Sequence, residues 1–200
     1  MDLYIVGSGG VGREVLDACL ASNRLVAGFL DDADAGRTVR GLPVTAPEVA
    51  SPSSAFVIGI ADPKARQRLA SLLIGRGLTP ETVIHPGATL APEITIGKGC
   101  VLLANAYVSS NAVISDHAQV QYNATVGHDA RLDELVTVYP GANVSGNVCL
   151  LRGSTMGSNS VVLQGLTVGE ASFVGAGAVV TRDVAPATVV VGTPARPISR

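Results

Sequence analysis

Residues 119–144 read QVQYNATVGHDARLDELVTVYPGANV, and a large aliphatic residue returns at every sixth position of this stretch. The same phase runs from Ile84 to Val180, and all seventeen positions hold Ile, Leu, Val or Met. Four residues after each of the first sixteen, fourteen positions hold Ala, Ser, Cys or Val, and only Ile94 and Leu166 are larger. Because large aliphatic residues make up only about a third of a globular chain, chance does not explain such a run.

This six-residue period predicts a parallel β-solenoid. One short strand per hexad, with an inward aliphatic side chain and a small residue near the corner, allows three strands to close a triangular coil. A coil then takes about eighteen residues, so that roughly five and a half coils fit between Ile84 and Asp183. The Pro-rich segment 184–198, VAPATVVVGTPARPI, is expected to close the open edge of the last coil.

The first part of the chain follows a different pattern. An apolar strand at 3–7 leads into GSGGVG (7–12), and apolar residues then recur at helical spacing. Two more strands are predicted at 25–30 and 55–60, and Asp62 followed by Pro63 begins a second helix. The fold class predicted is therefore α/β, with a Rossmann-like βαβαβ domain over 1–80 and a parallel β-helix domain over 81–200. Ligands of such a sheet bind at the carboxyl ends of its strands.

Composition narrows the function classes. A net charge of −2 provides no basic field for nucleic acid, and no apolar run is long enough for insertion into a membrane. We expect a cytoplasmic protein, because the N-terminus shows no basic and apolar leader. The three cysteines are far apart, which excludes a complete disulfide framework and favours small buried residues.

The sequence resembles the left-handed β-helix acyltransferases and, among them, the sugar-nucleotide acetyltransferases of the PglD/NeuD type. The stretches that carry the resemblance are GSGGVGREV (7–15), FLDD (29–32), VGHDARLDE (126–134), GANVSGNV (141–148) and VVGTPAR (190–196). The resemblance implies a homotrimer, with acetyl-CoA bound along the solenoid between subunits. It also implies that the small domain binds the nucleotide of a sugar-nucleotide substrate.

The chain contains three histidines, His85, His117 and His128. Their positions in the eighteen-residue coil place them on three different faces, which disfavours a tri-histidine zinc site within one subunit. His85 and His117 are expected to be structural, at a domain junction and at a corner or interface. No metal is expected.

His128 is the candidate catalytic base. It stands third in its hexad, where the side chain can point outward, and its neighbours one coil away are Ser110 and Gly146. The adjacent Asp129 would raise the basicity of the imidazole and fix its tautomer. The resemblance implies the same two roles; the alternative is that His128 is a solvated corner residue.

The N-terminal domain and the solenoid each contain candidate binding residues. The N–H of Gly146 is the candidate oxyanion donor, because glycine allows a ligand to approach the backbone closely. The resemblance and the coil positions together assign Thr137, Ser158 and Ala176 to the acetyl-CoA groove. In the small domain the candidates for nucleotide binding lie in two loops and a helix. They are Gly9, Gly10 and Val11 at the helix start, Asp31 and Asp32 after the second strand, and Arg66 to balance the diphosphate charge.

The function expected is acetyl-CoA-dependent N-acetylation of a nucleotide-linked amino sugar, of the 4-amino-4,6-dideoxy type. Sugar O-acetylation is the nearest alternative, because one base and one oxyanion donor serve either nucleophile. The G-x-G-x-x-G pattern of Gly7, Gly9 and Gly12 also suggests a nicotinamide-dependent oxidoreductase, but about 80 residues are too few for a full dinucleotide fold. A non-catalytic scaffold is the third alternative.

Overall fold

The structure of the protein is a computed structural model that describes residues 1–198; residues 199 and 200 of the predicted second domain lie outside the described residues. The N-terminal part contains six strands and two α-helices, with a short 3₁₀ helix at Pro47–Val49. These elements are β1 Leu3–Val6, α1 Gly10–Ala21, β2 Gly28–Leu30, β3 Thr38–Val39, β4 Leu42–Thr45, β5 Ala55–Ile58, α2 Pro63–Gly75 and β6 Thr79–Pro80.

The six strands form one sheet in the order β3-β4-β2-β1-β5-β6. All neighbours are parallel except β3 and β4, which form an antiparallel hairpin. The three predicted strands and two predicted helices are confirmed, although β2 begins only at Gly28. The hairpin and β6 were not predicted. The hairpin turns at Arg40 and Gly41, whose φ angles are 49° and 81°, as a two-residue turn between twisted strands requires.

Glycines allow α1 to lie against the sheet. A Cβ on Gly12 would lie 2.0 Å from the carbonyl oxygen of Gly7, and a Cβ on Gly59 would lie 2.5 Å from the Cα of Gly12. The second helix begins as predicted, because the Asp62 carboxylate accepts hydrogen bonds from the N–H groups of Lys64 and Ala65 at 2.7 and 3.0 Å.

The remainder of the described chain is a triangular parallel β-solenoid made of two-residue strands, one in each hexad as predicted. Face 1 contains Val83–Ile84, Val101–Leu102, Gln119–Val120, Thr137–Val138, Thr155–Met156 and Phe173–Val174. Face 2 contains Thr89–Leu90, Tyr107–Val108, Thr125–Val126, Asn143–Val144, Val161–Val162 and Val179–Val180. Face 3 contains Thr95–Ile96, Val113–Ile114, Arg131–Leu132, Cys149–Leu150 and Thr167–Val168.

The coil length is eighteen residues, as the register Val101↔Gln119 and Leu102↔Val120 shows. The second residue of each strand points inward, and these aliphatic side chains form the solenoid core. The fourth residue of each hexad adopts a left-handed conformation, with φ between 53° and 74° from residue 99 to residue 177. Asn, Asp and Gly, which tolerate this conformation, occupy most of these positions.

Three corners connect the faces. Corner 1–2 leads from face 1 to face 2 and includes residues 121–124, corner 2–3 includes residues 127–130, and corner 3–1 includes residues 133–136. At the end of the solenoid, Val189–Val191 continues face 1 and pairs with the antiparallel strand Arg196–Pro197, so that the Pro-rich segment covers the last edge of face 1 as expected.

The N-terminal unit packs on face 1. The outward residues of the first four strands of this face, Val83, Val101, Gln119 and Thr137, are buried and contact the unit. The Gln119 side-chain amide donates to the carbonyl oxygens of Ile58 and Ile60 at 2.8 and 3.2 Å, at the carboxyl end of β5. These bonds fix the loop after β5 against the solenoid.

Candidate active site

The loop between β1 and α1 forms an open cradle at the carboxyl edge of the sheet. Gly9 is the N-cap of α1, no side chain caps this helix, and no acidic residue lies in its first turn. A Cβ placed on Gly9 or Gly10 would meet nothing within 4 Å. The cradle therefore presents free N–H groups and the positive end of the helix dipole, which suits a phosphate group. Val11 is half-buried and packs against the core of the unit.

Ser8 links the cradle to the loop after β2. Its N–H and Oγ both donate to Oδ2 of Asp31, at 2.9 and 2.8 Å, and its Oγ also lies 2.9 Å from Oδ2 of Asp34. Asp31 thus holds the cradle in shape. Asp32 is exposed and available to a ligand. Sequence reasoning missed Ser8 and Asp34, although Ser8 stands inside the glycine motif.

Arg13, in the first turn of α1, is the cation of the cradle. Its guanidinium lies 3.5 Å from the carbonyl oxygen of Ser8, and the residue is exposed. Sequence reasoning did not single it out.

Arg66 was expected to balance a diphosphate, and its position corrects this expectation. The residue is 1% exposed, and its Nε donates to the carbonyl oxygen of His117 at 3.1 Å. The other two nitrogens donate to main-chain oxygens of the loop after β5 and of corner 3–1, and to the Thr137 hydroxyl. Burial lowers the pKa of Arg66 to about 10, which leaves it charged at neutral pH. Every guanidinium nitrogen is occupied, so Arg66 joins the two domains.

The structure also corrects the expectation for Thr137. It was expected in the acetyl-CoA groove, but it is fully buried beneath the N-terminal unit. Its hydroxyl donates to the carbonyl oxygen of Ala61 at 3.0 Å and accepts from Arg66 at 2.9 Å. The residue therefore belongs to the domain contact.

His128 and Asp129 form an exposed pair at corner 2–3. Nδ1 of His128 lies 2.7 Å from Oδ2 of Asp129, and the two side chains are 52% and 44% exposed. Asn111, one coil away, donates to Oδ1 of Asp129 at 3.3 Å. The hydrogen bond from His128 and then that from Asn111 hold the pKa of Asp129 below its ordinary value. An ionised Asp129 favours the tautomer that carries its proton on Nδ1, which leaves the lone pair on Nε2.

Gly146 lies beside this lone pair. A Cβ at residue 146 would lie 2.5 Å from Nε2 of His128. Only glycine leaves room for a reacting group beside the imidazole at this position. The predicted neighbourhood of His128 and Gly146 is thus present in the structure. The pair can accept a proton at Nε2 from a nucleophile placed next to the Gly146 main chain.

Ser158 and Ala176, the other residues predicted to line the acetyl-CoA groove, lie elsewhere on the solenoid. Ser158 follows a face 1 strand and Ala176 follows the next one, which places both on corner 1–2, whereas Gly146 and His128 are on corner 2–3. A single copy does not bring the four residues together.

The cradle and His128 are also separated within one copy. The N-terminal unit covers face 1, and corner 2–3 is the corner that does not border this face. His128 and the face that carries the N-terminal unit therefore lie on opposite sides of the solenoid.

The other two histidines have structural environments. The Nδ1 of His85 accepts from the Gly87 N–H at 2.9 Å within a turn. His117 is buried and stacks on Phe56 of β5, with ring centroids 6.3 Å apart. The three histidines lie at three different corners, and no group of metal-ligating side chains is found within residues 1–198.

Comparison with family models gives two matches. Residues 2–73 match the PglD N-terminal domain, and residues 152–182 match the hexapeptide repeat of succinyl-transferase. Among solved structures, the acetyltransferase domain of PglB from Neisseria gonorrhoeae FA1090, in complex with acetyl coenzyme A, is 33% identical in sequence. The match covers 98% of each chain with a TM-score of 0.93.

The chain belongs to the PglD-type acetyltransferases. The fold class predicted from the hexads and the strand–helix pattern is confirmed, and the solenoid is the left-handed β-helix of this superfamily.

Two further structures extend the comparison of this PglD-type chain. WeeI from Acinetobacter baumannii AYE is 30% identical, over 99% of this chain and 100% of that one, with a TM-score of 0.94. PerB from Caulobacter crescentus, solved in complex with CoA and GDP-perosamine, is 28% identical, over 100% and 98% of the two chains, with a TM-score of 0.94. A search of curated proteins finds no match.

Neither helix of the N-terminal unit, nor any other helix within residues 1–198, has the length and apolar character needed to cross a membrane.

Proposed function

We propose that this PglD-type acetyltransferase transfers the acetyl group of acetyl-CoA to the amino group of a nucleotide-linked amino sugar of the 4-amino-4,6-dideoxy type. The observation that carries the proposal is the His128–Asp129 pair, whose Nε2 lies beside the bare main chain of Gly146. Support for the substrate class comes from PerB, which was solved with CoA and GDP-perosamine.

His128 acts as the general base. Nε2 accepts a proton from the sugar amine as the nitrogen attacks the acetyl carbonyl and the new N–C bond forms. The Gly146 N–H stabilises the oxyanion of the tetrahedral intermediate. The C–S bond then breaks, and the proton held on His128 passes to the leaving thiolate. Asp129 stabilises the imidazolium between these two steps.

The cradle binds the nucleotide diphosphate. Gly9 and Gly10 offer main-chain N–H groups at the positive end of α1, and Val11 follows them in the first turn. Arg13 replaces Arg66 as the cation near the phosphates, and Asp31 orders the loop through Ser8. Asp32 accepts hydrogen bonds from the ribose hydroxyls or a base N–H.

The functional unit is a homotrimer, because the two half-sites, the cradle of the N-terminal unit and the His128–Asp129 pair, lie on opposite sides of the solenoid in one copy. When corner 2–3 of one copy meets corner 1–2 of the next, His128 and Gly146 face Ser158 and Ala176 across one groove. Acetyl-CoA lies in this groove, and the cradle on face 1 borders its other side. A cytoplasmic location is part of the proposal, since the free cysteines Cys19, Cys100 and Cys149 suit a reducing compartment.

A mass-spectrometric panel tests the proposal. The enzyme is incubated with acetyl-CoA and with UDP-, dTDP- and GDP-linked 4-amino sugars, beside the same nucleotides linked to hydroxyl-only sugars. We expect an acetylated product with at least one amino sugar and with none of the hydroxyl-only sugars. Acetylation of hydroxyl-only sugars alone would favour sugar O-acetylation, and no product with any amino sugar would contradict the proposal.

A further inference from the structure

The contact between α2 and corner 3–1 contains a buried histidine that no role above uses. His117 is 8% exposed, and its ring stacks on Phe56 of β5. Its Nδ1 is buried and has no hydrogen-bond partner among residues 1–198. A Cβ on residue 99 would lie 2.3 Å from this nitrogen, so this edge of the ring packs on the main chain of Gly99. A neutral imidazole can keep a lone pair at Nδ1, whereas a protonated one would bury an N–H there without an acceptor.

The backbone of His117 belongs to the same contact. Its φ angle is 58°, and that of Leu135, one coil later, is 63°, a left-handed conformation that large side chains seldom adopt. Arg66 of α2 donates hydrogen bonds to the carbonyl oxygens of both residues. One guanidinium therefore fixes both turns of corner 3–1, and it brings a positive charge close to the imidazole.

Two carboxylates lie near His117 at corner 3–1, and each already has a partner. Oδ1 of Asp116 accepts from the N–H of Lys98 at 2.8 Å. Glu134 forms an ion pair with Arg152. The two carboxylates are therefore engaged outside the ring contact, and neither forms a hydrogen bond with His117 within the described chain.

The imidazole is held neutral by its surroundings. Burial lowers the pKa of His117 below its ordinary value, although the Asp116 carboxylate opposes this shift; Arg66 lowers the pKa further and Glu134 raises it. Cys100 in the preceding coil adds no charge, because burial raises the pKa of its thiol to about 12. A histidine whose pKa is lower in the folded state contributes stability above its ordinary pKa of about 6.5, and this stability is lost as the pH falls below that value.

We propose that His117 makes the contact between α2 and corner 3–1 sensitive to acid. Below about pH 6.5, a proton from solvent binds the imidazole when the contact opens. The charged ring opposes closure, since closure would place it beside the Arg66 guanidinium and bury an unpaired N–H at Nδ1. The helix α2 and the loop after β5 therefore open more often in acid. Apolar contacts of α1 with Val83 and Val101 keep the N-terminal unit on face 1.

Hydrogen–deuterium exchange, followed by mass spectrometry at about pH 7.5 and about pH 5.5, tests this role in the full chain without substrate. Exchange is corrected for its intrinsic dependence on pH. The protection of α2 peptides in the wild type should then fall about tenfold, since one proton taken up over one pH unit below about 6.5 changes the opening constant by that factor. His117→Asn removes the titrating ring and suits the corner, because Asn105 and Asn123 adopt the same conformation at φ 59° and 58°. Its α2 protection should change less than about twofold.

His85→Asn is the matched control. His85 directly follows Val83–Ile84, at corner 1–2 and away from α2, so this variant should show the same fall as the wild type. Peptides from faces 2 and 3 are the internal reference and should keep their protection in all three proteins. If His117→Asn does not fold, His117→Gln is measured with the same expectation.

Three results would overturn the inference: no fall in α2 protection in the wild type, an equal fall in the folded His117 variant, or an equal fall across faces 2 and 3. The first two would show that His117 does not control the contact, and the third that acid opens the whole chain. Because no substrate is present, the outcome does not depend on the proposed acetyl transfer.

Discussion

At the scale of single residues, the proposed chemistry depends on the contact between His128 and Asp129. The pair could be predicted from the sequence, because two adjacent residues at a corner must be close in space. The contact between Gly146 and the His128 imidazole could also be anticipated, because the two residues are one eighteen-residue coil apart. Asn111, which holds the second oxygen of Asp129, was not anticipated, because its role appears only when side-chain directions at the corner are known.

Asp129→Asn should reduce kcat about ten- to a hundredfold while leaving the fold intact. The carboxylate holds the imidazole in the tautomer that leaves the lone pair on Nε2, and the neutral amide of the variant holds it less firmly. Thiol release is followed with a thiol-detecting assay, and a kcat equal to that of the wild type would contradict the role of Asp129.

The burial of Arg66 and Thr137 could not be predicted from the sequence. Both residues are explained by contacts between segments about seventy residues apart, the loop after β5 and corner 3–1. Local spacing shows which face of a helix a residue occupies, but not which part of the chain packs on that face. An arginine on the inner side of α2 was therefore interpreted as a ligand for phosphate.

Arg66→Gln should lower the free energy of unfolding by about 3 kcal/mol, because several buried carbonyl oxygens would lose their donor. Arg68→Gln on the same helix is exposed and should change it by less than about 0.5 kcal/mol. Urea unfolding of the two variants measures the difference. Equal stability would show that the guanidinium does not hold the domains together.

At the scale of elements, the proposed nucleotide binding depends on the start of α1. Gly9 has φ −72° and ψ −161°, an extended conformation open to any residue, so glycine is not required there for backbone strain. The open space around Gly9 is what a ligand needs.

The hexads predicted the strands of the solenoid well, because each coil repeats the same local constraint. The hairpin β3–β4 was missed, although Arg40-Gly41 between the apolar residues Val39 and Leu42 is compatible with a tight turn.

Gly9→Asp should raise KM for the nucleotide sugar at least tenfold, since a carboxylate at the helix start repels phosphate. The melting temperature should not fall, because Asp is a favourable N-cap residue. Gly9→Asn has the same shape and capping ability without the charge, and it is the matched control. Equal KM values for the Asp and Asn variants would contradict phosphate binding at this cradle.

At the scale of the whole molecule, the N-terminal unit that contains the cradle packs on face 1, and His128 lies at the corner opposite this face. The sequence predicted both half-sites but not their separation, because the hexads do not reveal which face carries the N-terminal unit. Under the proposed function, a working site then requires two copies of the chain. This requirement is a property of the assembly, and it leads to a direct test.

The central claim is that His128 of one copy acts on substrate held by the cradle of another. His128→Asn and Gly9→Asp trimers are prepared separately, assayed, and then mixed in equal amounts under conditions that exchange subunits, with exchange verified by native mass spectrometry. Each parent should be nearly inactive at low substrate concentration. The mixture should regain about a quarter of the wild-type activity, the share of interfaces with two intact half-sites in a cyclic trimer. An active His128→Asn parent, or mixed trimers without activity, would contradict the account.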